Sequence, residues 1–158
     1  MANQVAVEVS GIDFAAAHFV SEGGKCERLH GHNYHITATI WGELNPLGMV
    51  IDFRVLKQHL RLQCKHWDHM ILLPAKSELI KVIQQGNQTQ VKTPEGTYSF
   101  PVHNVKILDV VETTAEELAR LFCKQLVKNL TQDYSNISKV RVELTESPTS
   151  RAIVTLLV

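Results

Sequence analysis

One stretch constrains this chain more than any other: Lys25-Cys26-Glu27-Arg28-Leu29-His30-Gly31-His32-Asn33-Tyr34. In extended backbone, residues two apart project from the same face. His30 and His32 therefore aim both imidazoles at one point, and Gly31 leaves room on the far face. A third imidazole, His18, ends the run Phe14-Ala15-Ala16-Ala17-His18, whose small residues allow close backbone packing. Three imidazoles and one open position make a catalytic zinc site, whereas four closed ligands make a structural one. Cys26 precedes His30 by four residues. Its thiol is either the fourth ligand or a reactive group beside the metal.

The rest of the composition narrows the class. A length of 158 residues implies one domain, spanning 1–158, with enough chain for a full core. Sixteen basic residues balance sixteen acidic ones, so net charge gives no sign of nucleic-acid or membrane binding. The three cysteines Cys26, Cys64 and Cys123 are odd in number and widely spaced, which fits a reducing, cytoplasmic compartment. No basic-then-apolar leader is visible at the N-terminus, and no apolar run approaches the roughly 18 residues of a membrane span. The histidines are concentrated before residue 70, which leans toward a metal.

Alternation predicts a half-buried strand over 4–10, with Val5, Val7 and Val9 on one face. Gly11 is expected to bend it before a second extended piece at 12–18. Residues 20–29 read as a polar loop that delivers Cys26 to the next strand. Over 32–43, Tyr34, Ile36, Ala38 and Ile40 share the parity of His30 and His32, so the imidazoles belong to the inward face at one end of a long strand. Asp52 is a candidate N-cap for a helix whose buried stripe is Phe53, Leu56, Leu60 and Cys64. Residues 75–107 read as a hairpin-like insertion, with a strand at Leu79–Ile83, a turn at Gly86-Asn87, and Thr97–Phe100 pairing back across it. Thr114 with Glu117 forms a capping box for a helix over 114–129, with Ala115, Leu118, Ala119, Phe122 and Leu126 inward. Two strands follow, one at 139–144 and one from Ala152. Two strands, a helix, an insertion, a helix and two strands predict an α+β fold: an antiparallel four-stranded sheet with two helices on one face.

Glu146 has the parity of Val140, Val142 and Leu144. A carboxylate pointing inward is costly unless paired, and a ligand with adjacent N–H donors would pair it. Alternatively the strand ends by residue 145, and Glu146 is a solvated turn residue before Ser147-Pro148.

Taken together, six elements in this order resemble the family of 6-pyruvoyltetrahydropterin and 6-carboxytetrahydropterin synthases. They are Phe14–His18, Cys26-x3-His30-Gly31-His32-Asn33-Tyr34, Gly48–Phe53, Asp68-His69, Thr113–Glu116 and Glu146. The resemblance covers nearly the whole chain outside 75–107. It implies the T-fold, closed into a barrel by oligomerisation, usually as a hexamer (a dimer of trimers) with sites at subunit interfaces. It also implies that His18, His30 and His32 bind Zn2+, that Cys26 abstracts a proton, and that Asp68 and His69 form its partner dyad. Glu146 matches the carboxylate that anchors the pterin's amino-pyrimidine edge, and Thr113 and Thr114 match a segment lining the pterin pocket. Two features depart from the family pattern. Leu73 stands where an asparagine usually follows the dyad, and the 75–107 insertion is longer than in small members.

The family's usual substrate is 7,8-dihydroneopterin triphosphate. Zinc would polarise its side-chain oxygens, a thiolate would serve as base, and Asp68 would fix the tautomer of His69. The three-residue gap between Cys26 and His30 resembles the branch that makes 6-carboxy-5,6,7,8-tetrahydropterin for 7-deazaguanine (queuosine or archaeosine) precursors. A 6-pyruvoyltetrahydropterin synthase is the alternative, and a catalytically inactive zinc-stabilised pterin-binding protein is a third reading. Plainer roles compete for single residues. His69 would be a structural histidine, and Glu116 and Glu117 would be first-turn acids that suit a helix dipole. Cys64 and Cys123 would be small buried hydrophobes, and His35, His59, His66 and His103 packing or surface residues.

Overall fold

The computed structural model describes residues 4–158; residues 1–3, the first part of the N-terminal stretch read as lacking a leader, lie outside the described residues. Among the described residues, nine strands and two α-helices follow in chain order. They are β1 (Val5–His18), β2 (His30–Gly42), α1 (Phe53–Lys65), β3 (Met70–Pro74), β4 (Lys81–Gln85), β5 (Gln88–Thr93), β6 (Gly96–Pro101), β7 (Val105–Leu108), α2 (Ala115–Leu130), β8 (Ile137–Ser147) and β9 (Ser150–Leu157). No helix among the described residues is long and apolar enough to cross a membrane.

Strands β1, β2, β8 and β9 form the antiparallel sheet that alternation predicts. Their inward residues are buried with Leu56, Leu60, Leu118, Phe122 and Leu126 of the helices. Both helices start at the expected caps: the Asp52 carboxylate accepts from the Arg54 N–H, and the Thr114 hydroxyl accepts from the Glu117 N–H. Gly11, at φ 75°, does not split β1 into two pieces. It sits in a bulge between Val9 and Ile12, so one continuous strand reaches His18. The bulge resets parity, which puts Val9 inward before it and Ile12, Phe14, Ala16 and His18 inward after it.

The sheet is larger than four strands. β3 and β7 extend it beyond β1 as parallel neighbours, giving the order β7-β3-β1-β2-β8-β9. Parallel strands buried on both faces show continuous apolar runs, not alternation. Met70-Ile71-Leu72-Leu73 is such a run, and periodicity alone does not distinguish it from a helix segment.

The insertion also differs from the expected hairpin. It is a three-stranded sheet, β4-β5-β6, in which Thr97–Phe100 pairs with β5 and not with β4. The turn at Gly86 is where expected. Val91 of β5 joins Phe19, Leu73, Ile80 and Val105 in a second small core, and Tyr98 stacks on Phe19 at 5.1 Å. The insertion thus packs against the residue next to His18.

Close approach explains two glycines. A Cβ on Gly42 would lie 2.5 Å from the Asn136 carbonyl oxygen, so only glycine fits where β2 meets the start of β8. A Cβ on Gly31 would lie 3.0 Å from the Ala16 carbonyl oxygen, so the far face between the two histidines is tight.

Candidate active site

Register does what spacing alone left open. β1 and β2 run antiparallel with His18 directly opposite His30 and Ala16 opposite His32. The three imidazoles consequently converge, with ring centroids 4.6 Å apart for His18–His30, 5.2 Å for His18–His32 and 5.0 Å for His30–His32. One nitrogen from each lies within 4.8 Å of the others.

The chemistry of this donor set fits a metal ion. His18 Nδ1 lies 2.8 Å from the Thr113 carbonyl oxygen and His30 Nδ1 lies 2.7 Å from that of Arg28. A carbonyl only accepts, so each Nδ1 carries the proton and each Nε2 keeps its lone pair. Such outer hydrogen bonds orient metal-ligating histidines. His32 Nε2 is buried with no hydrogen-bond partner. It lies 3.6 Å from Glu146 Oε1. The Tyr34 hydroxyl lies 3.4 Å from His18 Nε2, so the orphaned nitrogen is that of His32, and such a group is costly unless something satisfies it. Burial and the neighbouring histidines push His18 down to about 4, which keeps its ring neutral, the form that binds metal. Burial also lowers His32, against an opposing pull from Glu146.

Cys26 sits on a short 3-10 turn, Gly24–Glu27, partly exposed. It is not among the groups that cluster as ligands, yet it lines the same cavity of about 270 Å³. His18, His30, Thr114, Glu116 and Glu146 line that cavity too. The other two thiols lie elsewhere. Burial pushes Cys64 up to about 12 and Cys123 up to about 11, so both stay protonated.

β8 continues to Ser147, so Glu146 is a strand residue, and its carboxylate reaches the inward face beside His32. Thr114 lines the cavity, whereas Thr113 is fully buried and donates its hydroxyl to the Phe19 carbonyl 3.1 Å away. Thr113 contributes its backbone to His18, not a side chain to the cavity.

Asp68 and His69 are joined to each other but stand apart from Cys26. Asp68 Oδ2 lies 2.9 Å from His69 Nδ1, and Asp68 Oδ1 accepts from the Ala15 N–H at 2.9 Å. The bond from Ala15, followed by those from His69, holds the Asp68 carboxyl below its ordinary range. His69, at φ 59°, donates its own N–H to the Ala15 carbonyl and leaves its ring 83% exposed. It borders a different hollow, with Ala15, Ala17, Gly31 and Asn33, and His32 of the cluster lines that hollow too. One chain therefore does not bring the dyad into the cavity that holds Cys26.

Sequence reading passed over Ser150 and Arg151, which close the cavity from the β8–β9 hairpin. The hairpin register, Thr145 opposite Arg151 and Ser147 opposite Ser150, brings them beside Glu146.

Comparison with known proteins agrees with this arrangement. The model of the family described as 6-pyruvoyl tetrahydropterin synthase matches residues 7–156. A Pyrococcus horikoshii protein provisionally named 6-carboxy-5,6,7,8-tetrahydropterin synthase is 34% identical over 145 residues, covering 90% of this chain and 85% of the relative. The Haemophilus influenzae 6-carboxy-5,6,7,8-tetrahydropterin synthase is 32% identical over 142 residues, covering 87% and 89%. Among solved structures, a catalytic-residue mutant of Plasmodium vivax 6-pyruvoyltetrahydropterin synthase, in which a glutamate is replaced by alanine, superposes with a TM-score of 0.91. It is 26% identical and covers 99% of both chains. Matched along nearly its whole length in sequence and in fold, the chain belongs to the 6-pyruvoyl tetrahydropterin synthase family.

Proposed function

We propose that this protein is a zinc-dependent lyase that converts 7,8-dihydroneopterin triphosphate and water into 6-carboxy-5,6,7,8-tetrahydropterin, acetaldehyde and triphosphate. The observation that carries this reading is the pairing of a three-histidine cluster with a thiol that shares a cavity with two of its members, His18 and His30, without joining the cluster. That is an open metal site beside a free base, the arrangement of a catalytic centre. The relatives named for the 6-carboxy reaction support the choice of product.

His18, His30 and His32 would hold Zn2+. When bound there, Zn2+ supplies Lewis acidity toward the substrate's side-chain oxygens. Glu146 accepts hydrogen bonds from the pterin's amino group and ring N–H, which fixes the ring in the cavity. With the ring so placed, the hydroxylated side chain extends toward Cys26. The Cys26 thiolate removes a proton from a side-chain carbon, and His69 acts as the second acid and base. Asp68 keeps the proton of His69 on Nδ1 and leaves Nε2 free for transfer. Asp68 and His69 lie outside the Cys26 cavity of their own chain. The reading therefore requires a homo-oligomer in which one subunit's dyad faces the next subunit's cavity. The hexamer implied by resemblance is one such assembly. Deazaguanine precursor synthesis in the cytoplasm is the role that goes with this product.

A second reading has a specific observation behind it. The Plasmodium vivax variant is described as a mutant at a catalytic glutamate, and in this chain Glu27 adjoins Cys26. In this chain the Glu27 carboxylate accepts from the backbone N–H groups of Gly23 and Gly24, at 3.0 and 2.8 Å, and those bonds hold it below the usual carboxylate range. A carboxylate so engaged braces the turn, which favours the thiol as base. The 6-pyruvoyl product remains the alternative outcome.

The test is anaerobic incubation of the zinc-loaded protein with 7,8-dihydroneopterin triphosphate, with products read by mass. The expected products are 6-carboxy-5,6,7,8-tetrahydropterin and acetaldehyde. A 6-pyruvoyl product alone overturns the assigned reaction, and no turnover with zinc bound supports a pterin-binding protein.

A further inference from the structure

Outside the cavity, one carboxylate is held in an unusual way. Glu112 is partly buried and makes no ion pair among the described residues. It is satisfied by three donors. The Ser21 hydroxyl donates to Oε1 at 2.5 Å, the Ser21 N–H to Oε2 at 3.2 Å, and the Ser77 hydroxyl to Oε1 at 3.2 Å. Hydrogen bonds to an ionised acceptor are about twice as strong as neutral ones, and a carboxylate away from water demands them.

What Glu112 grips is the root of the loop that carries Cys26. The Val20 N–H, next to Ser21, donates to the Cys26 carbonyl at 3.1 Å and closes that loop. The Phe19 carbonyl, one residue earlier, accepts from the Thr113 hydroxyl. Thr113 in turn presents its carbonyl to His18 Nδ1. Residues 112 and 113 therefore hold the thiol loop with one side chain and orient a histidine of the cluster with the adjacent backbone. Ser77 brings the start of the 75–107 insertion into the same clamp, and its hydroxyl also accepts from the Ile80 N–H at 3.0 Å.

We infer that Glu112 is a positioning residue for Cys26: through Ser21 it fixes where the thiol stands relative to the histidine cluster, and through Ser77 it enlists the insertion in that task. The inference rests on Cys26 being the base of the proposed reaction. It names a determinant of rate that touches neither substrate nor metal.

Glutamine can keep the part of this clamp that grips Ser21. Its oxygen accepts from the Ser21 N–H, and its amide donates to the Ser21 hydroxyl, which turns to accept. The Ser77 hydroxyl already accepts from the Leu79 and Ile80 N–H groups, so its bond to residue 112 is lost. Alanine keeps none of it. Three properties of full-length, zinc-loaded E112A and E112Q are measured. They are kcat and KM, zinc per chain, and the iodoacetamide alkylation rate of the Cys26 peptide by mass spectrometry. A base displaced by about 1 Å costs on the order of a hundredfold in rate. E112A is expected to lose kcat by about ten- to a hundredfold with KM and zinc unchanged, while Cys26 alkylates several-fold faster. E112Q is expected to keep its zinc and to lie much closer to wild type than to E112A in kcat and in alkylation. Wild-type kcat and alkylation in E112A overturn the inference, as does E112Q failing as badly as E112A. If E112A does not fold, S21A serves instead, since it keeps the backbone bond and loses the hydroxyl. A smaller rise in alkylation is then expected, and an unchanged rate overturns the inference. The alkylation readout does not need turnover, so it decides the clamp even if the assigned reaction proves wrong.

Discussion

Cys26→Ala is expected to keep its zinc and its fold while losing turnover by about a hundred- to ten-thousand-fold, the usual contribution of a positioned acid or base. The thiol is partly exposed on a 3-10 turn, so truncating it removes little packing. Its loop keeps the Val20–Cys26 backbone bond and the bonds from Gly23 and Gly24 to Glu27, none of which involves sulfur. A surface change of this kind alters stability by about 0.5 kcal/mol or less. The metal stays because the three histidines cluster without the thiol. Zinc analysis, thermal melting and kcat on one preparation check all three points. If Cys26 were instead the fourth ligand of a closed site, the variant would lose metal and stability together.

Glu146→Ala is expected to weaken pterin binding by about 3 kcal/mol, a little over a hundredfold in Kd, through the loss of two charge-assisted hydrogen bonds. The reasoning is geometric. β8 carries Glu146 to the inward face, where it lines the cavity with Thr114 and Ala115 and no described cation pairs with it. Its nearest ionisable neighbour is His32, at 3.6 Å. With that nitrogen engaged by a metal, the carboxylate is left with open acceptor positions directed at the cavity. Fluorescence titration with a pterin that is not turned over gives the Kd, and zinc analysis shows whether the cluster persists. An unchanged Kd removes Glu146 from the binding site.

Much of this was legible in the sequence because the relevant signals are local. Alternation set the inward faces of β2 and β8, and the same parity put His30 and His32 on the core side. For Glu146, parity left a strand position and a turn position open, and the resemblance to the family favoured the first. Side-chain caps marked both helix starts. What was not legible depends on partners distant in sequence. The pairing of His18 with His30 requires the β1–β2 register, and the bulge at Gly11 shifts parity within β1. β3 and β7 are parallel partners with 30 residues between them, 75–104, and neither alternates. β5 is Gln88-Thr-Gln-Val-Lys-Thr, whose buried residues are Thr89 and Val91, so its hydrophobic signal is faint. Glu112 acts on Ser21 and Ser77, which lie 91 and 35 residues away. Asp68 and His69, adjacent in sequence, are bonded to each other at 2.9 Å. The pair's separation from Cys26 follows from the bonds that tie Asp68 and His69 to the Ala15 backbone, 53 and 54 residues earlier, which no motif encodes.

The most direct test of the account is X-ray absorption at the zinc edge of the metal-loaded protein. An open histidine site beside a free thiol predicts three nitrogen scatterers at about 2.0–2.1 Å, one further oxygen, and no sulfur. A sulfur scatterer at about 2.3 Å would place Cys26 on the metal and contradict the catalytic role assigned to it.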